Sequence, residues 1–210
     1  PDGTITNFDN IALDTAAGKY FAINMGATGV YLVAGNMSDG SAIGTQISLN
    51  PKTTVADSYA INALAVDPQR HYIYFSVWGT ETDSGIARVS YDPITGVING
   101  GQPILTGTGT SATINPALYV VNEGNNGGAD QFANATDFYL DVASNKLYFT
   151  ATTYLNGAFY AGYPQTNGVY VVDLNAGTPQ ADRLSTFAGD PDHMMNAIAV
   201  VLRKRFERRW

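Results

Sequence analysis

The sequence predicts an all-β chain built from four-stranded antiparallel units, and three observations lead to this fold class. One pattern occurs three times: a short apolar run ending in Asp, a polar turn, and a second run that contains Tyr-Phe. An apolar run that opens with Gly follows each copy. The 210 residues include 22 Gly, 13 Tyr and 9 Phe but only 14% charged residues, which is typical of many short strands joined by tight turns.

The first two strands of each unit form a predicted hairpin. Both runs have the length and the aromatic content of strands, and an Asp can accept hydrogen bonds from the backbone of the turn that follows it. The sequence therefore predicts a structural role for this Asp. The three copies are Asn10 to Ala22, Ala63 to Ser76, and Asp137 to Thr150.

A third and a fourth strand complete each predicted unit. The third strands open at Gly29, Gly85 and Gly168. Weaker signals for the fourth strands lie at Thr45 to Leu49, Pro103 to Thr106, and Ala181 to Thr186. Four strands in repeats of roughly 50 to 75 residues predict β-propeller-type blades rather than a sandwich.

The predicted partial propeller has three complete blades and one interrupted blade. The complete blades span approximately residues 8–58, 59–107 and 134–188. A fourth begins at 194–202, where Met195 to Val200 overlays Ile61 to Val66, and it stops at Val201 in place of the expected Asp. Residues 203–210 are a basic tail, for which a truncated or foreign end, a docking strand or helix, and a membrane- or nucleic-acid-binding segment are the alternatives.

The repeated pattern, followed by Gly-Val-Tyr-Val-Val at Gly168 to Val172, resembles the NHL, YWTD and SMP-30-like groups of β-propeller repeats. The resemblance covers residues 8 to 201 and implies blades of a six-bladed ring. Three blades and a fraction do not close such a ring, and an open arc exposes an apolar face at each end. We therefore expect self-association, or the remaining blades of a longer chain, to cover these faces.

Charge excludes some function classes. Up to Leu202, six basic residues stand against seventeen acidic ones, and an acidic body repels nucleic acids and anionic membranes. The uncharged runs of the chain are interrupted by Asn, Thr and Gly, and none is a continuous apolar run of the ~18 residues that a membrane span needs. The chain has no Cys, which excludes disulfides and thiolate zinc sites. This composition is similar to that of bacterial exported proteins, so we expect a secreted or cell-surface location.

One loop has the composition of a calcium site. Hard oxygen ligands and flexible glycines occur together between Asn122 and Asp130, and Ca²⁺ takes six to eight oxygens. A solvated loop is the alternative, because the spacing does not match an EF-hand. The candidate metal ligands are Glu123, Asn125, Asn126 and Asp130.

Aromatic residues form a second candidate site, because flat rings beside Asn and Gly resemble sugar- or peptide-binding platforms. The alternative is that these rings cap the blade. The candidate ligand-binding residues are Trp78, Tyr154, Tyr160 and Tyr163.

Polar residues at the starts of the innermost strands are a third candidate set, placed at the mouth of a central channel. They are Asp9, Asn62, Asp137 and Asn196. The sequence assigns no catalytic residue: His71 lies in a turn, His193 lies between blades, and no Ser/His/Asp arrangement with a nucleophile elbow is present.

Two function classes follow from these observations. The first is a non-catalytic module of an exported or cell-surface protein that binds a protein, peptide or glycan through its blade loops. The alternative is a lactonase- or lyase-like propeller enzyme, in which Ca²⁺ polarises a sugar-derived ester or uronide. An enzyme of this kind requires carboxylates and amides from several blades to converge on the axis.

Overall fold

The computed structural model describes residues 8–26, 29–49, 61, 63–77, 85–99, 104–106, 113–122, 130–155 and 165–187. These residues form three antiparallel sheets of four or five strands, which follow one another along the chain, and one separate two-stranded pair. The predicted all-β class with four-stranded antiparallel units is thus confirmed. The start of a fourth unit at 194–202 and the basic tail at 203–210 lie outside the described residues.

Sheet 1 is a simple meander in which each strand pairs with the next. Its strands are β1 (Phe8–Asp14), β2 (Lys19–Gly26), β3 (Gly29–Asn36) and β4 (Ala42–Ser48). Successive side chains of a strand point to opposite faces of the sheet. One face of sheet 1 packs on sheet 2 through its apolar side chains.

Sheet 2 begins as the same meander, with β5 (Leu64–Asp67), β6 (Tyr72–Val77) and β7 (Gly85–Tyr91). Its fourth position is divided between two short strands that pair with different halves of β7. These are β8 (Ile98–Asn99), beside Ser90 and Tyr91, and β11 (Tyr119–Asn122), beside Gly85 to Ala87.

The segment between β8 and β11 makes its own small structure. It contains β9 (Leu105–Thr106), β10 (Thr113–Ile114) and a 3-10 helix (Pro116–Leu118). The prediction of the fourth strand at Pro103 to Thr106 is wrong, because β9 pairs with β10 and not with β7. The β8 strand already occupies part of that edge, and β11 takes the rest.

Sheet 3 is again a meander, and its first three strands are the longest among the described residues. Its strands are β12 (Asp130–Asp141), β13 (Lys146–Leu155), β14 (Gln165–Asp173) and β15 (Ala181–Phe187).

The three sheets are stacked in chain order. Each sheet has a back face, which is directed toward the preceding sheet, and a front face, which is directed toward the next. The core between sheets 1 and 2 includes Phe21, Leu32, Ile73, Phe75 and Val89. The core between sheets 2 and 3 includes Tyr74, Ile86, Leu147, Phe149 and Tyr170.

The first strands of the three sheets lie side by side, because β5 contacts β1 on one side and β12 on the other. Stacked four-stranded meanders whose first strands converge are the arrangement of blades around a propeller axis. The described chain is therefore a partial β-propeller of three blades.

The Tyr-Phe pair sits one position earlier in sheet 1 than in the other sheets. Tyr20 pairs with Leu13, the residue before the turn Asp, whereas Tyr74 pairs with Ala65, two residues before it. A shift of one residue moves a side chain to the opposite face of a sheet. Tyr20 consequently lies on the back face of sheet 1, where its ring covers Gly35 and its hydroxyl donates to Gly40 O at 3.1 Å.

Candidate functional site

The two ends of the stacked sheets differ in how the strands are connected. At the end that we call the turn end, β1, β5 and β12 finish and four-residue turns lead into the second strands. At the opposite end, called the loop end, these strands begin, and residues 27–28, 78–84 and 156–164 connect the second strands to the third. The turn ends of neighbouring sheets are adjacent, because hydrogen bonds join sheet 1 to sheet 2 and sheet 2 to sheet 3 there.

The Asp at each turn holds the backbone of its own turn. Asp14 Oδ1 accepts from Ala17 N at 3.0 Å, and Asp67 Oδ1 accepts from the backbone N–H groups of Gln69 and Arg70 at 2.9 and 3.0 Å. Asp141 Oδ1 does the same for residues 143 and 144. Each turn Asp therefore has the structural role that the sequence predicts, because it accepts hydrogen bonds from the backbone of its own turn.

The last residue of each turn has a left-handed backbone. The φ angles are 67° at Gly18, 58° at His71 and 53° at Asn145. Glycine adopts this conformation without a steric penalty, and Asn and His are among the other residues that tolerate it best. His71 is therefore a turn residue, and its ring also makes an edge contact with Tyr91 at a centroid distance of 5.7 Å.

The turn end also holds neighbouring sheets together. The Tyr91 hydroxyl of sheet 2 donates to Asp14 Oδ2 of sheet 1 at 2.7 Å. At the next junction, Arg70 Nη1 donates to Asp67 Oδ2 at 3.0 Å and to Val142 O of sheet 3 at 3.2 Å. Sequence reasoning missed Tyr91 and Arg70, because their partners belong to different repeats and local patterns do not reveal such pairs.

Three further carboxylates hold turns at this same end. Asp39 and Asp92 come after the third strands of sheets 1 and 2, and Asp173 is the last residue of the third strand of sheet 3. Each accepts from backbone N–H groups two or three residues later. These backbone hydrogen bonds lower the pKa of Asp39 and of Asp92, and the bonds from Ser144 lower the pKa of Asp141. Six described carboxylates are thus engaged in the backbone of the turn end.

Asp137, one of the predicted channel residues, is in a different situation. It lies four residues before Asp141, in the turn-end half of β12 and not at the start of the strand as predicted. The register with β13 is irregular there, between Thr136 and Tyr139, and the φ of Asp137 is 45°. Its Oδ2 is buried and has no hydrogen-bond partner in the described part of the chain. Burial raises the pKa of this carboxyl. An unpaired buried oxygen of this kind is suited to a proton or to a cation.

Of the other three predicted channel residues, only the backbone of Asp9 lies within the described part of the chain. Asp9 lies in β1 at an irregularity of register between Phe8 and Asn10, which parallels the irregularity at Asp137. The side chain of Asp9 and all of Asn62 and Asn196 lie outside the described residues. Among the predicted channel residues, the described side chain is therefore that of Asp137, on the innermost strand of sheet 3.

Most of the predicted aromatic and calcium-binding residues lie outside the described residues. Tyr154 and Asp130 occupy strands at the loop end of sheet 3, where Tyr154 pairs with Gln131 and Asp130 pairs with Leu155. Their side chains are not described. The remaining predicted residues outside the described ranges are Trp78, Tyr160, Tyr163, Glu123, Asn125 and Asn126.

The described residues contain no cluster of three His, Cys, Asp or Glu side chains arranged to hold a metal ion. The same part of the chain also includes no helix with the length and apolar character needed to cross a membrane.

Comparisons with known proteins give a likeness in structure and none in sequence family. No family model matches the chain, and no curated protein matches it. Among solved structures, the chain is similar to the endo-arabinase from Bacteroides thetaiotaomicron VPI-5482, with 14% sequence identity and a TM-score of 0.38. The alignment covers 82% of this chain and 59% of that chain, so this chain spans about three fifths of the length of that structure.

Proposed function

We propose that the chain is a non-catalytic binding module of an exported or cell-surface protein, and that it holds a protein, peptide or glycan at the loop end. The observation that carries the proposal is the unequal use of the two ends. Six described carboxylates at the turn end bind backbone N–H groups, so that end is devoted to maintaining the fold. The connections at 78–84, 123–129 and 156–164 leave from the other end.

Residues suited to recognition are concentrated in those connections. Trp78 directly follows β6, and Tyr160 and Tyr163 lie between β13 and β14. Aromatic rings provide a large contact area at a low cost in conformational entropy, and connecting loops on a rigid scaffold commonly carry binding residues. The resemblance to NHL, YWTD and SMP-30-like repeats is compatible with this use, since those repeats occur in proteins of many activities.

Intrinsic fluorescence provides a direct test, because the chain contains only two Trp residues, Trp78 and Trp210. A Trp210→Phe variant leaves Trp78 as the single tryptophan, and its emission is isolated by excitation at the red edge of the absorption band, where Tyr does not absorb. The variant would be titrated with soluble polysaccharides and with a peptide library, and the mixtures would be analysed for cleavage products. We expect a saturable change in Trp78 emission and no product.

Variants locate the binding surface. Tyr160→Ala and Tyr163→Ala should weaken binding by about tenfold each, as expected when a packed ring is removed. Ile94→Ala is the matched control, since Ile94 is 84% exposed at the turn end and its truncation should leave the affinity unchanged. Equal affinity in all variants, or release of product, contradicts the proposal.

Asp137 favours a second function, the calcium-dependent enzyme acting on a sugar-derived substrate. Its unpaired, buried Oδ2 provides the type of oxygen that Ca²⁺ binds. In this function Asp137 would hold the ion together with ligands among Glu123, Asn125 and Asn126, and the bound ion would polarise the carbonyl or glycosidic oxygen of the substrate. Asp130 lies seven residues before Asp137 in the same strand, roughly 20 Å away, and is too distant to share that ion.

Thermal unfolding distinguishes the two functions. An ion that binds only the folded state raises the stability by about 2.7 kcal/mol at one hundred times its dissociation constant. The enzyme reading requires that millimolar Ca²⁺ raise the Tm relative to a chelator, and that Asp137→Asn abolish this rise. No change in Tm on addition of Ca²⁺ removes the calcium site and the enzyme reading with it.

A further inference from the structure

Three large apolar side chains are exposed together on the back face of sheet 1, against which none of the described sheets packs. Ile11 and Leu13 of β1 are 53% and 47% exposed, and Met37, at the turn after β3, is 43% exposed. Their positions in the repeat are defined by the turn Asp and by the backbone bond from Met37 N to Gly18 O.

The equivalent positions in the other two sheets are the ones that pack on a preceding sheet. Leu64 and Val66 belong to the core between sheets 1 and 2, and Phe138 and Leu140 belong to the core between sheets 2 and 3. The equivalents of Met37 are identified by the same backbone bond, which runs from Tyr91 N to His71 O and from Leu174 N to Asn145 O. Tyr91 and Leu174 also belong to these two cores.

The front face of sheet 3 has the complementary character. Tyr148 is the equivalent of Phe21 and Tyr74, the front-face aromatic residues that sheets 1 and 2 pack against the next sheet. In sheet 3 this residue is only half-buried, and it makes a ring contact with the half-buried Tyr139 at a centroid distance of 6.2 Å. Sheet 3 thus presents an aromatic front face of the kind that receives a back face.

Polar groups at the turn end select which back face can follow. At the junction of sheets 1 and 2, Asp14 Oδ2 of sheet 1 accepts from the Tyr91 hydroxyl of sheet 2. The third residue of the sheet 1 turn is Ala17, which has no side-chain donor that could take this place. Where sheet 3 supplies the apolar Leu174, the second oxygen of Asp67 accepts from its own third turn residue, Arg70.

Sheet 3 has the same arrangement as sheet 2, in which the turn Asp is paired within its own turn. The second oxygen of Asp141 accepts from Ser144 Oγ, its own third turn residue, at 2.7 Å. A back face that is apolar at the Tyr91 position is therefore the compatible one, and sheet 1 carries Met37 at that position.

We propose that the back face of sheet 1, formed by Ile11, Leu13 and Met37, is an interface that receives the front face of sheet 3 of a second copy of this chain. The contact continues the packing that already joins sheet 1 to sheet 2 and sheet 2 to sheet 3. It is head-to-tail, so two copies joined at both ends form a closed dimer with two identical junctions. This assembly covers both open faces of the arc at once.

The test uses the full chain and three single substitutions. Leu13→Asp places a charge on the back face, Tyr148→Asp places one on the front face, and Ile94→Asp is the control at an exposed apolar side chain away from both faces. Molecular mass would be measured by light scattering and by sedimentation equilibrium between about 1 and 100 µM, with circular dichroism to verify that each variant is folded.

The wild type and Ile94→Asp should have twice the monomer mass, with at least a tenfold weaker dimer for Leu13→Asp and for Tyr148→Asp. A mixture of the two weakened variants should recover a 1:1 dimer, because one of its two junctions pairs unaltered faces. A wild-type monomer at about 100 µM overturns the proposal. The face would then be covered by the fourth unit at 194–202 or by another protein, and not by a second copy. A folded Leu13→Asp variant that dimerises as the wild type does also overturns it, as does a mixture that stays monomeric.

Discussion

The hydroxyl of Tyr91 donates a 2.7 Å hydrogen bond to Asp14 Oδ2, across 77 positions of sequence and across the junction between two sheets. Both residues are buried, with 3% and 1% of their surfaces exposed. Burial, and then the bond to Asp14, raises the pKa of Tyr91, so the phenol remains a donor at physiological pH. One carboxylate therefore closes its own turn with one oxygen and joins two blades with the other.

Removal of this hydroxyl should weaken the junction. Tyr91→Phe leaves Asp14 Oδ2 buried without its donor, and an unpaired buried acceptor costs about 1–3 kcal/mol. The Tm should fall by roughly 2–4 °C for each kcal/mol in a chain of this size. Chemical denaturation of Tyr91→Phe, Asp14→Asn and the double variant measures the coupling. Additive effects of the two substitutions would show that the bond contributes nothing to stability.

The junction between sheets 2 and 3 depends on a charged residue. Arg70→Met should lower the free energy of unfolding by about 1–3 kcal/mol, because Asp67 is fully buried and its Oδ2 loses its partner. Arg70→Lys retains a charge near the carboxylate but not the guanidinium that reaches both Asp67 and Val142 O, so it should recover part of the loss. Urea unfolding of the three proteins measures the order, and a stable Arg70→Met protein would exclude this role.

The left-handed backbone at His71 predicts which replacements the turn accepts. His71→Val should destabilise the chain by about 1–2 kcal/mol, because a β-branched side chain at positive φ collides with its own backbone. His71→Asn should have nearly wild-type stability, since Asn145 occupies the same position in the third turn. Thermal unfolding at pH 7 compares the two. Equal destabilisation by Asn and Val would indicate that the histidine ring itself is required.

The buried carboxyl of Asp137 predicts a pH dependence of stability. Its pKa is raised in the folded state, so between the unfolded and the folded pKa the folded chain holds a proton that the unfolded chain has lost. Stability should therefore fall as the pH rises through this window. Asp137→Asn removes the effect, and in the presence of a chelator it should raise the Tm at pH 7 but have little effect near pH 4.

The matched control for this prediction is Asp182→Asn, because Asp182 is exposed. Its Tm should follow that of the wild type at every pH. A lower Tm for Asp137→Asn at pH 7 would show instead that the folded chain requires a charged carboxylate at this site.

The repeated hairpin was predictable from sequence because its determinants are local. A strand of about five residues, an Asp and a four-residue turn are adjacent in the chain, and the turn is held by bonds that span only two or three residues. Counting these repeats was sufficient to predict the three sheets and their antiparallel meander.

The fourth strand of sheet 2 was not predictable in the same way. The run at Leu105–Thr106 and the run at Tyr119–Asn122 have similar apolar character, and only their partners distinguish them. Partner choice depends on which part of the β7 edge is already occupied by β8, and this is a property of the assembled sheet. The Tyr91–Asp14 bond was missed for the same reason.

The candidate sites were predicted from residue types alone. The structure describes the side chain of Asp137, whereas those of the predicted aromatic and calcium-binding residues lie outside the described part of the chain. Asp137 was selected as one member of a recurring polar position at the start of the inner strands, and its buried, unpaired oxygen distinguishes it from the acids at the turns. No sequence pattern marks this difference, because it results from an irregular register within β12.

The three acid-held turns also affect how such a chain can grow. Each sheet carries the residues that close its own first hairpin, and connections between sheets leave from the opposite end. A duplicated segment of DNA that encodes one hairpin and its two following strands would therefore also encode the residues that close that hairpin. Changes in the number of repeats would then require new side chains only where adjoining copies meet.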